Sequence, residues 1–317
     1  MEKAILKTLV YADLFDFPLT KKELWQRLVW DIGDSSIRRL RKSSGRKGGF
    51  KNNSGAGVSR KEFEFCLNKL NKAGKIEGRE GFYFFAGRGG IVDLRKKRQS
   101  QSEKKLEKAI AVSRFLKIIP SIRLAAVTGS VASENAKNKD DIDLFLIASA
   151  GLVWTTRFLV TLAVSLLGVR RFSNRKMVKD KICLNLFLDE GHLGVFKKEQ
   201  DLFLAYEIYQ LKVLWQRGKA YQKFLSANTW LKKFLPNAFG EDIFGFKKDR
   251  SYRHFNWLIE AVGLLRKGID RIFYLFQFWW MRKKRTTETA KPYLIAFHPA
   301  NERSKILARF KRRISLI

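Results

Sequence analysis

Asp141 and Asp143 occupy alternate positions at the start of an apolar segment, Asp141-Ile142-Asp143-Leu-Phe-Leu-Ile147. In an extended strand, side chains two residues apart project from the same face, so both carboxylates share one side of the predicted strand. Carboxylate oxygens are ligands that Mg²⁺ accepts. The pattern predicts a magnesium site, and the alternative is a turn that carries two solvated aspartates.

Gly129-Ser130 lies between a predicted strand, Ile122 to Val127, and a predicted short helix, Val131 to Ala136. Backbone N–H groups at the beginning of a helix can bind an anion such as phosphate. Glycine lacks a Cβ and lets the backbone approach a ligand closely. The strand-turn-helix order therefore predicts a phosphate-binding turn at Gly129-Ser130.

A strand, Gly-Ser, a short helix and a second strand with Asp-x-Asp form the signature of the polymerase-beta-like nucleotidyltransferase superfamily, which this sequence resembles. The resemblance implies that Gly129 and Ser130 contact the phosphates of a nucleoside triphosphate. It also implies that Asp141 and Asp143 are catalytic residues that coordinate Mg²⁺.

Asn185 stands where the superfamily places a third carboxylate, at the centre of the predicted strand Lys181 to Leu188. An amide oxygen can ligate Mg²⁺ weakly, but an amide cannot act as a carboxylate base. Asn185 is therefore a candidate catalytic position with altered chemistry, or else an unrelated core asparagine. Asp189 shares its strand parity but would lie roughly 13 Å further along, too far to replace it.

The N-terminal segment predicts helices from Ala4 to Phe15, from the N-cap Thr20, and from Ser59 to Gly74, followed by a hairpin over residues 75–85. Three helices and a hairpin are typical of a winged helix-turn-helix, in which the third helix usually enters a DNA groove. Residues 34–57 are rich in Gly, Ser, Lys and Arg, which indicates a flexible basic insertion. This insertion either contacts nucleic-acid phosphates or is a tolerated surface loop.

A wider resemblance is to bacterial proteins of unknown role that join a winged helix to a nucleotidyltransferase domain and a helical C-terminal part. The matching segments are Tyr11-Ala-Asp-Leu-Phe-Asp-Phe-Pro-Leu-Thr20, Thr128-Gly-Ser, Asp141-Ile-Asp, Arg157, Ile182-Cys-Leu-Asn185 and Phe297-His-Pro299. This resemblance implies an α+β chain. Its expected parts are a winged helix-turn-helix (1–92), a connecting helix (93–120), a nucleotidyltransferase domain with a mixed sheet (121–200) and a helical region (201–317).

The chain is strongly basic, with 64 Lys and Arg against 30 Asp and Glu, a formal charge of +34. Such a charge favours a polyanionic partner such as nucleic acid, but a generally lysine-rich surface explains it equally well. The two cysteines, Cys66 and Cys183, lie in apolar periodic segments and are expected to be buried free thiols. With 317 residues, about two domains are expected.

Two apolar segments bear on membrane contact. Phe158 to Val169 is too short to span a bilayer, and Asn256 to Met281 is interrupted by charges. We expect the aromatic stripe of the second segment to pack internally, the alternative being a membrane-surface helix with Arg282 to Arg285 beside the headgroups. The N-terminus does not resemble a secretion signal, so a cytoplasmic location is expected.

Two functions are compatible with these patterns. The first is a magnesium-dependent nucleotidyltransferase that transfers a nucleoside monophosphate to an unknown acceptor hydroxyl. The alternative, suggested by Asn185 and the basic charge, is a catalytically impaired nucleotide-sensing or nucleic-acid-binding regulatory protein. The sequence identifies neither the acceptor nor the oligomeric state.

Overall fold

A computed structural model of the chain describes residues 1–30, 59–172, 178–238, 263–281, 289–291, 293–296 and 300–317. The predicted basic insertion at residues 34–57, Arg282 to Arg285 and Phe297-His298-Pro299 lie outside the described residues.

Helices and a small antiparallel sheet form the N-terminal part. The helices are α1 (Glu2–Asp13), α2 (Lys21–Gln26) and α3 (Arg60–Lys72), and the strands β1 (Leu19–Thr20), β2 (Ile76–Arg79) and β3 (Phe82–Phe85) pair in the order β1-β3-β2. Their shared core contains the fully buried Ile5, Leu24, Phe63, Leu67 and Ile76. The described elements follow the predicted order of helices and then a hairpin.

The caps of these helices differ from each other. The predicted capping box of α2 is confirmed, because Glu23 N–H donates to Thr20 Oγ1 (3.2 Å) and Thr20 N–H donates to Glu23 Oε2 (2.9 Å). Ser59 precedes α3 as predicted, but its side chain makes no capping hydrogen bond.

A six-stranded mixed sheet forms the centre of the molecule, in the order β7-β4-β5-β6-β9-β8. Its strands are β4 (Ile122–Thr128), β5 (Ile142–Ala148), β6 (Ile182–Asp189), β7 (Lys212–Gln216), β8 (Thr289–Lys291) and β9 (Leu294–Ala296). The pair β5-β6 is parallel and the other pairs are antiparallel. A mixed sheet with several helices confirms the α+β class.

Helices cover both faces of this sheet. They are α4 (Ile91–Leu116), the single turn α5 (Gly129–Ala132), α6 (Val153–Leu166), α7 (Leu202–Tyr209), α8 (Ala220–Ala227), α9 (Gly263–Met281) and α10 (Ala300–Ile314). Leu144 and Leu146 pack on the side of α4 and α6, whereas Phe145 and Ile147 pack on the side of α7 and α8. This alternation explains the continuous apolar run of β5, since a strand buried on both faces needs apolar residues on both.

The C-terminal part was predicted to be helical, yet it contributes β7, β8 and β9 to the central sheet. Strand β7 pairs with β4, so the sheet continues past the predicted boundary at residue 200. These strands have three to five residues, which is too short for a periodic sequence signal. Strands β7 and β9 are positioned by pairing with β4 and β6, and β8 pairs with the adjacent β9.

Helix α9 packs one face against α6. Asp270 Oδ1 accepts hydrogen bonds from the Thr155 N–H (2.7 Å) and Oγ1 (2.8 Å), and Gln277 Nε2 donates to the Trp154 carbonyl (2.8 Å). The opposite face leaves Ile272 and Trp279 about two-thirds exposed. The expected internal packing therefore applies to only part of the aromatic stripe. Within the described ranges, no helix is long and apolar enough to cross a membrane.

The N-terminal part packs directly against the helices of the sheet. The ring of Tyr11 stacks on that of Tyr206 in α7, with centroids 4.1 Å apart, and Phe310 meets Tyr11 edge-on. The Tyr206 hydroxyl donates to the Arg27 carbonyl at 2.9 Å. Because these side chains are buried together, α1 and α7 share one core.

Arg95 in α4 joins three segments through a buried guanidinium. Its Nη2 donates to Glu134 Oε2 (2.9 Å) and to Glu23 Oε1 (3.2 Å), and the guanidinium lies 3.9 Å from the centre of the Phe17 ring. The side chain is only 4% exposed. Arg95 thus ties α2 and the segment after α5 to α4.

We expect Arg95→Met to lower the free energy of unfolding by about 2 kcal/mol, because it removes a buried cation that hydrogen-bonds two partly exposed carboxylates, Glu23 and Glu134. The matched control is Lys96→Met on the same helix as Arg95. It removes an exposed ion pair with Glu80 and should lower the free energy of unfolding by less than about 1 kcal/mol. Urea unfolding measures both. Equal losses would contradict the role of Arg95.

Candidate functional site

The antiparallel pairing of β4 and β5 brings the two predicted motifs together. Thr128, the last residue of β4, lies opposite Asp143 in β5. Gly129 and Ser130 follow directly, so the turn and both aspartates meet at one end of the sheet. A Cβ placed on Gly129 would lie 2.9 Å from Asp143 Oδ2, which shows how closely this backbone approaches the carboxylate.

Gly129 has a positive φ of 66°, a conformation that L side chains rarely adopt. The helix that follows is a single turn, shorter than the predicted Val131 to Ala136, and it closes with Asn135 N–H donating to the Ser130 carbonyl (2.8 Å). Ser130 is partly exposed. Ser130 lines a cavity of about 240 Å³, which Tyr11, Arg27 and Glu207 also border.

Asp141, Asp143 and Cys183 form a cluster whose candidate ligand atoms all lie within 4.8 Å of one another. The two carboxylates project from one face of the strand, as predicted. The parallel register of β5 and β6 places Cys183 directly beside Asp143. Cys66 is buried as expected, whereas Cys183 is partly exposed in this cluster.

An irregularity in β6 separates Asn185 from that register. Asp143 pairs with Cys183 and Phe145 with Leu186, so β6 has one residue more than β5 across this stretch. Asn185 lies within it, and its side chain is outside what the structure describes. Its assignment as the third catalytic position stays a prediction, while Cys183 is the residue that sequence reasoning missed.

Asp189 serves a different part of the fold. Its carboxylate is buried and accepts hydrogen bonds from the N–H groups of Gly151 (2.6 Å) and Gly191 (2.7 Å). It therefore fixes two loops near the far end of β6.

Arg171 is the cation of the cluster. Its guanidinium hydrogen-bonds Asp141 and lies 3.5 Å from Cys183 Sγ. In the sequence, Arg171 only flanks an apolar run. Its contact with Asp141 depends on the Arg170–Ile182 bridge, which brings the chain after α6 alongside β6.

Glu207 is a further carboxylate at this end of the sheet. Its Oε2 accepts a hydrogen bond from Thr128 Oγ1 at 3.1 Å, and Thr128 is the strand neighbour of Asp143. Glu207 comes from α7, far along the chain from both aspartates. The sequence offers no short-range signal for it beyond its place on an amphipathic helix.

Burial and like charges perturb the titratable groups of the cluster. Burial, reinforced by the nearby charges of Asp141 and Glu207, raises the pKa of Asp143 to about 7, although Arg171 opposes the shift. Burial and the same two aspartates raise the pKa of the Cys183 thiol well above its ordinary value. Two closely spaced carboxylates therefore provide oxygen ligands, and Cys183 is held as a neutral thiol.

No family model, curated protein or solved structure matches this chain. The geometry of the cluster and the resemblance of its motif are therefore the features that point to a function.

We expect Gly129→Ala to disrupt the cluster, since the new methyl would meet Asp143 Oδ2. The matched control is Gly168→Ala, because Gly168 also has a φ of 66° but has nothing within 4 Å of an added Cβ. Both substitutions should cost about 1–2 kcal/mol of backbone strain in urea unfolding. Only Gly129→Ala should also weaken Mg²⁺ binding in calorimetry, and equal Mg²⁺ binding by both variants would contradict the close approach.

Asp143→Asn should stabilise the metal-free protein at high pH only. Below about pH 4 the carboxyl is protonated in both the folded and unfolded states, but between about pH 4 and 7 only the folded state retains the proton. Wild-type stability therefore falls across this window, by up to about 4 kcal/mol, and the neutral amide removes the loss. Urea unfolding in the presence of a chelator, from pH 4 to 8, measures the free energy of unfolding of both proteins. A difference between wild type and variant that does not change with pH would contradict the raised pKa of Asp143.

Proposed function

We propose that the protein is a polymerase-beta-like nucleotidyltransferase with an N-terminal winged helix-turn-helix. The observation that carries the proposal is the Gly129 backbone held against Asp143, with Asp141 on the same strand face. A phosphate-binding turn beside paired carboxylates is what a magnesium nucleotide requires.

The cluster fits Mg²⁺ because its two carboxylates offer hard oxygen ligands and their mutual repulsion falls when a cation binds. Asp141 and Asp143 would hold the ion, which supplies charge neutralisation for the triphosphate. Gly129 and Ser130 would contact the phosphates through the exposed side of their turn. Arg171 hydrogen-bonds Asp141, the carboxylate that would bind the ion. When the ion binds, Arg171 would therefore move away from Asp141 or pair with a phosphate.

In the proposed reaction, an acceptor hydroxyl oxygen forms a bond to the α-phosphorus while the bond to the pyrophosphate oxygen breaks. The hydroxyl proton needs an acceptor. Glu207 supplies a third carboxylate at this end of the sheet through its hydrogen bond to Thr128, and we assign it that role in place of Asn185. The products are a nucleoside monophosphate ester of the acceptor and pyrophosphate.

A second candidate function is nucleotide sensing without turnover. It is favoured by Cys183, which occupies the strand position next to Asp143 with a thiol whose pKa is raised. A neutral thiol is a poor ligand for Mg²⁺ and does not serve as a carboxylate base. In this case the cluster would bind one ion and a nucleotide without transferring it.

The test is incubation with α-labelled nucleoside triphosphates and Mg²⁺. Asp141→Asn combined with Asp143→Asn should lower labelled product by at least about 100-fold, and Glu207→Gln should lower it less. Asp140→Asn is the matched control, because Asp140 instead accepts a hydrogen bond from the Lys137 N–H in a surface turn. Equal labelling by wild type and the double variant would exclude this reaction, and nucleotide binding without labelled product would favour the sensor.

A further inference from the structure

A basic cleft of about 600 Å³ lies beside the candidate site, between α4 and two short turns. Its basic lining residues are Lys97 and Arg98 from α4, Lys137 and Lys139 from the turn before β5, and Lys179 from the turn before β6. A cavity of this size is in the range that holds a ligand larger than a single phosphate.

The four lysines of this cleft are available for a ligand. Among the described residues, none of Lys97, Lys137, Lys139 and Lys179 has an ion pair, and all four are exposed. The carboxylates beside them are already engaged, since Asp140 accepts from the Lys137 N–H and Asp180 pairs with both Lys105 and Lys108. The backbone hydrogen bond leaves the charge of Asp140 in place, but the four lysines outnumber it, so the cleft has a net positive charge.

The buried wall of the cleft includes Arg98, which is 8% exposed. Its Nη1 donates to the Phe15 carbonyl and to Asn135 Oδ1, both at 3.0 Å. Asn135 Nδ2 also donates to the Phe15 carbonyl at 3.0 Å. Arg98 is thus held in place behind the exposed lysines, and because it also pairs with Asp16 at 4.0 Å, the lysines supply the free charge of the cleft.

The cleft adjoins the aspartate cluster. Lys139 is two residues before Asp141, and two residues span at most about 7 Å. The turn that carries Lys179 is fixed to the same place, because Asp180 N–H donates to the Asp140 carbonyl (3.2 Å) and Ile142 N–H donates to the Lys181 carbonyl (2.8 Å). Asp141 and Asp143 do not line the cleft, so a bound strand would extend past Lys139 to bring its end to the carboxylates.

The geometry points to this cleft as the binding site for the phosphate backbone of a nucleic-acid strand, whose terminal hydroxyl would be the acceptor. This inference rests on the proposed function, because the reaction needs a hydroxyl beside Asp141 and Asp143. Separate lysines along a concave surface suit a chain of spaced phosphates. A flat anionic bilayer fits a recess poorly.

The test is fluorescence anisotropy of labelled single-stranded RNA and DNA with the full chain, in chelator and without nucleotide. The cleft variant replaces Lys97, Lys137, Lys139 and Lys179 by Glu. The control variant replaces Lys3, Lys198, Lys233 and Lys311 by Glu; these exposed lysines lie outside the cleft and outside α3. Both variants change the formal charge by the same amount.

The cleft variant should bind the strand at least about 10-fold more weakly, and the slope of log affinity against log salt should fall by about 3. The control variant should keep near-wild-type affinity. Equal weakening of both variants would overturn the inference, since it would show a response to net charge alone. Circular dichroism and thermal melts establish that both variants fold, and single Lys139→Gln and Lys179→Gln variants repeat the comparison with smaller changes.

Competition experiments distinguish a nucleic-acid strand from free phosphates as the ligand of the cleft. Inorganic tripolyphosphate should displace the strand only at concentrations far above those of an unlabelled strand. Displacement at equal phosphate concentration would assign the cleft to free nucleotide and overturn the inference, as would lysine-dependent binding to phosphatidylserine vesicles in place of the strand. Strand binding is measured without Mg²⁺, so it does not depend on the transfer reaction. If the variant Asp141→Asn with Asp143→Asn binds the strand but yields no labelled product, the cleft is intact and only transfer has failed.

Discussion

The pairing of β4 with β5 is the constraint on which the site depends. It places Thr128 opposite Asp143 and brings the next residue, Gly129, so close that an added Cβ would lie 2.9 Å from Asp143 Oδ2. Both strands are buried on both faces, so a shift in register would require the closely packed cores on both sides of the sheet to repack. The core of the sheet therefore fixes the distance between the Gly129-Ser130 turn and the carboxylates.

Local pattern predicted the parts of the site that local geometry controls. Alternation places Asp141 and Asp143 on one face, and the apolar strand before Gly129 predicts the turn. The neighbours of Asp143 escape prediction because they depend on distant pairing: the register of β6 places Cys183 beside Asp143, with Asn185 in the irregular stretch that follows, and Glu207 comes from α7. Strands β7 and β9 escape for the same reason, since they pair with β4 and β6, and the three-residue β8 pairs with β9.

The charges around the site fall into two groups with different roles. Buried cations such as Arg95 are committed to carboxylates and hold the fold together, whereas the exposed lysines of the cleft have no such pairing among the described residues. A formal charge of +34 alone does not distinguish these groups. The distribution of paired and unpaired cations, and not the total charge, is what supports the proposed polyanion site near the aspartates.

Tyr206 and Glu207 are consecutive residues of α7 that contact different partners. Tyr206 stacks on Tyr11 of the N-terminal part, and Glu207 accepts a hydrogen bond from Thr128 beside Asp143. One turn of α7 thus contacts both the N-terminal part and the end of β4 beside Asp143. Thermodynamic linkage makes any coupling through α7 reciprocal. If a ligand of the N-terminal part changes the binding free energy of a ligand at the carboxylates, the second ligand changes that of the first by the same amount.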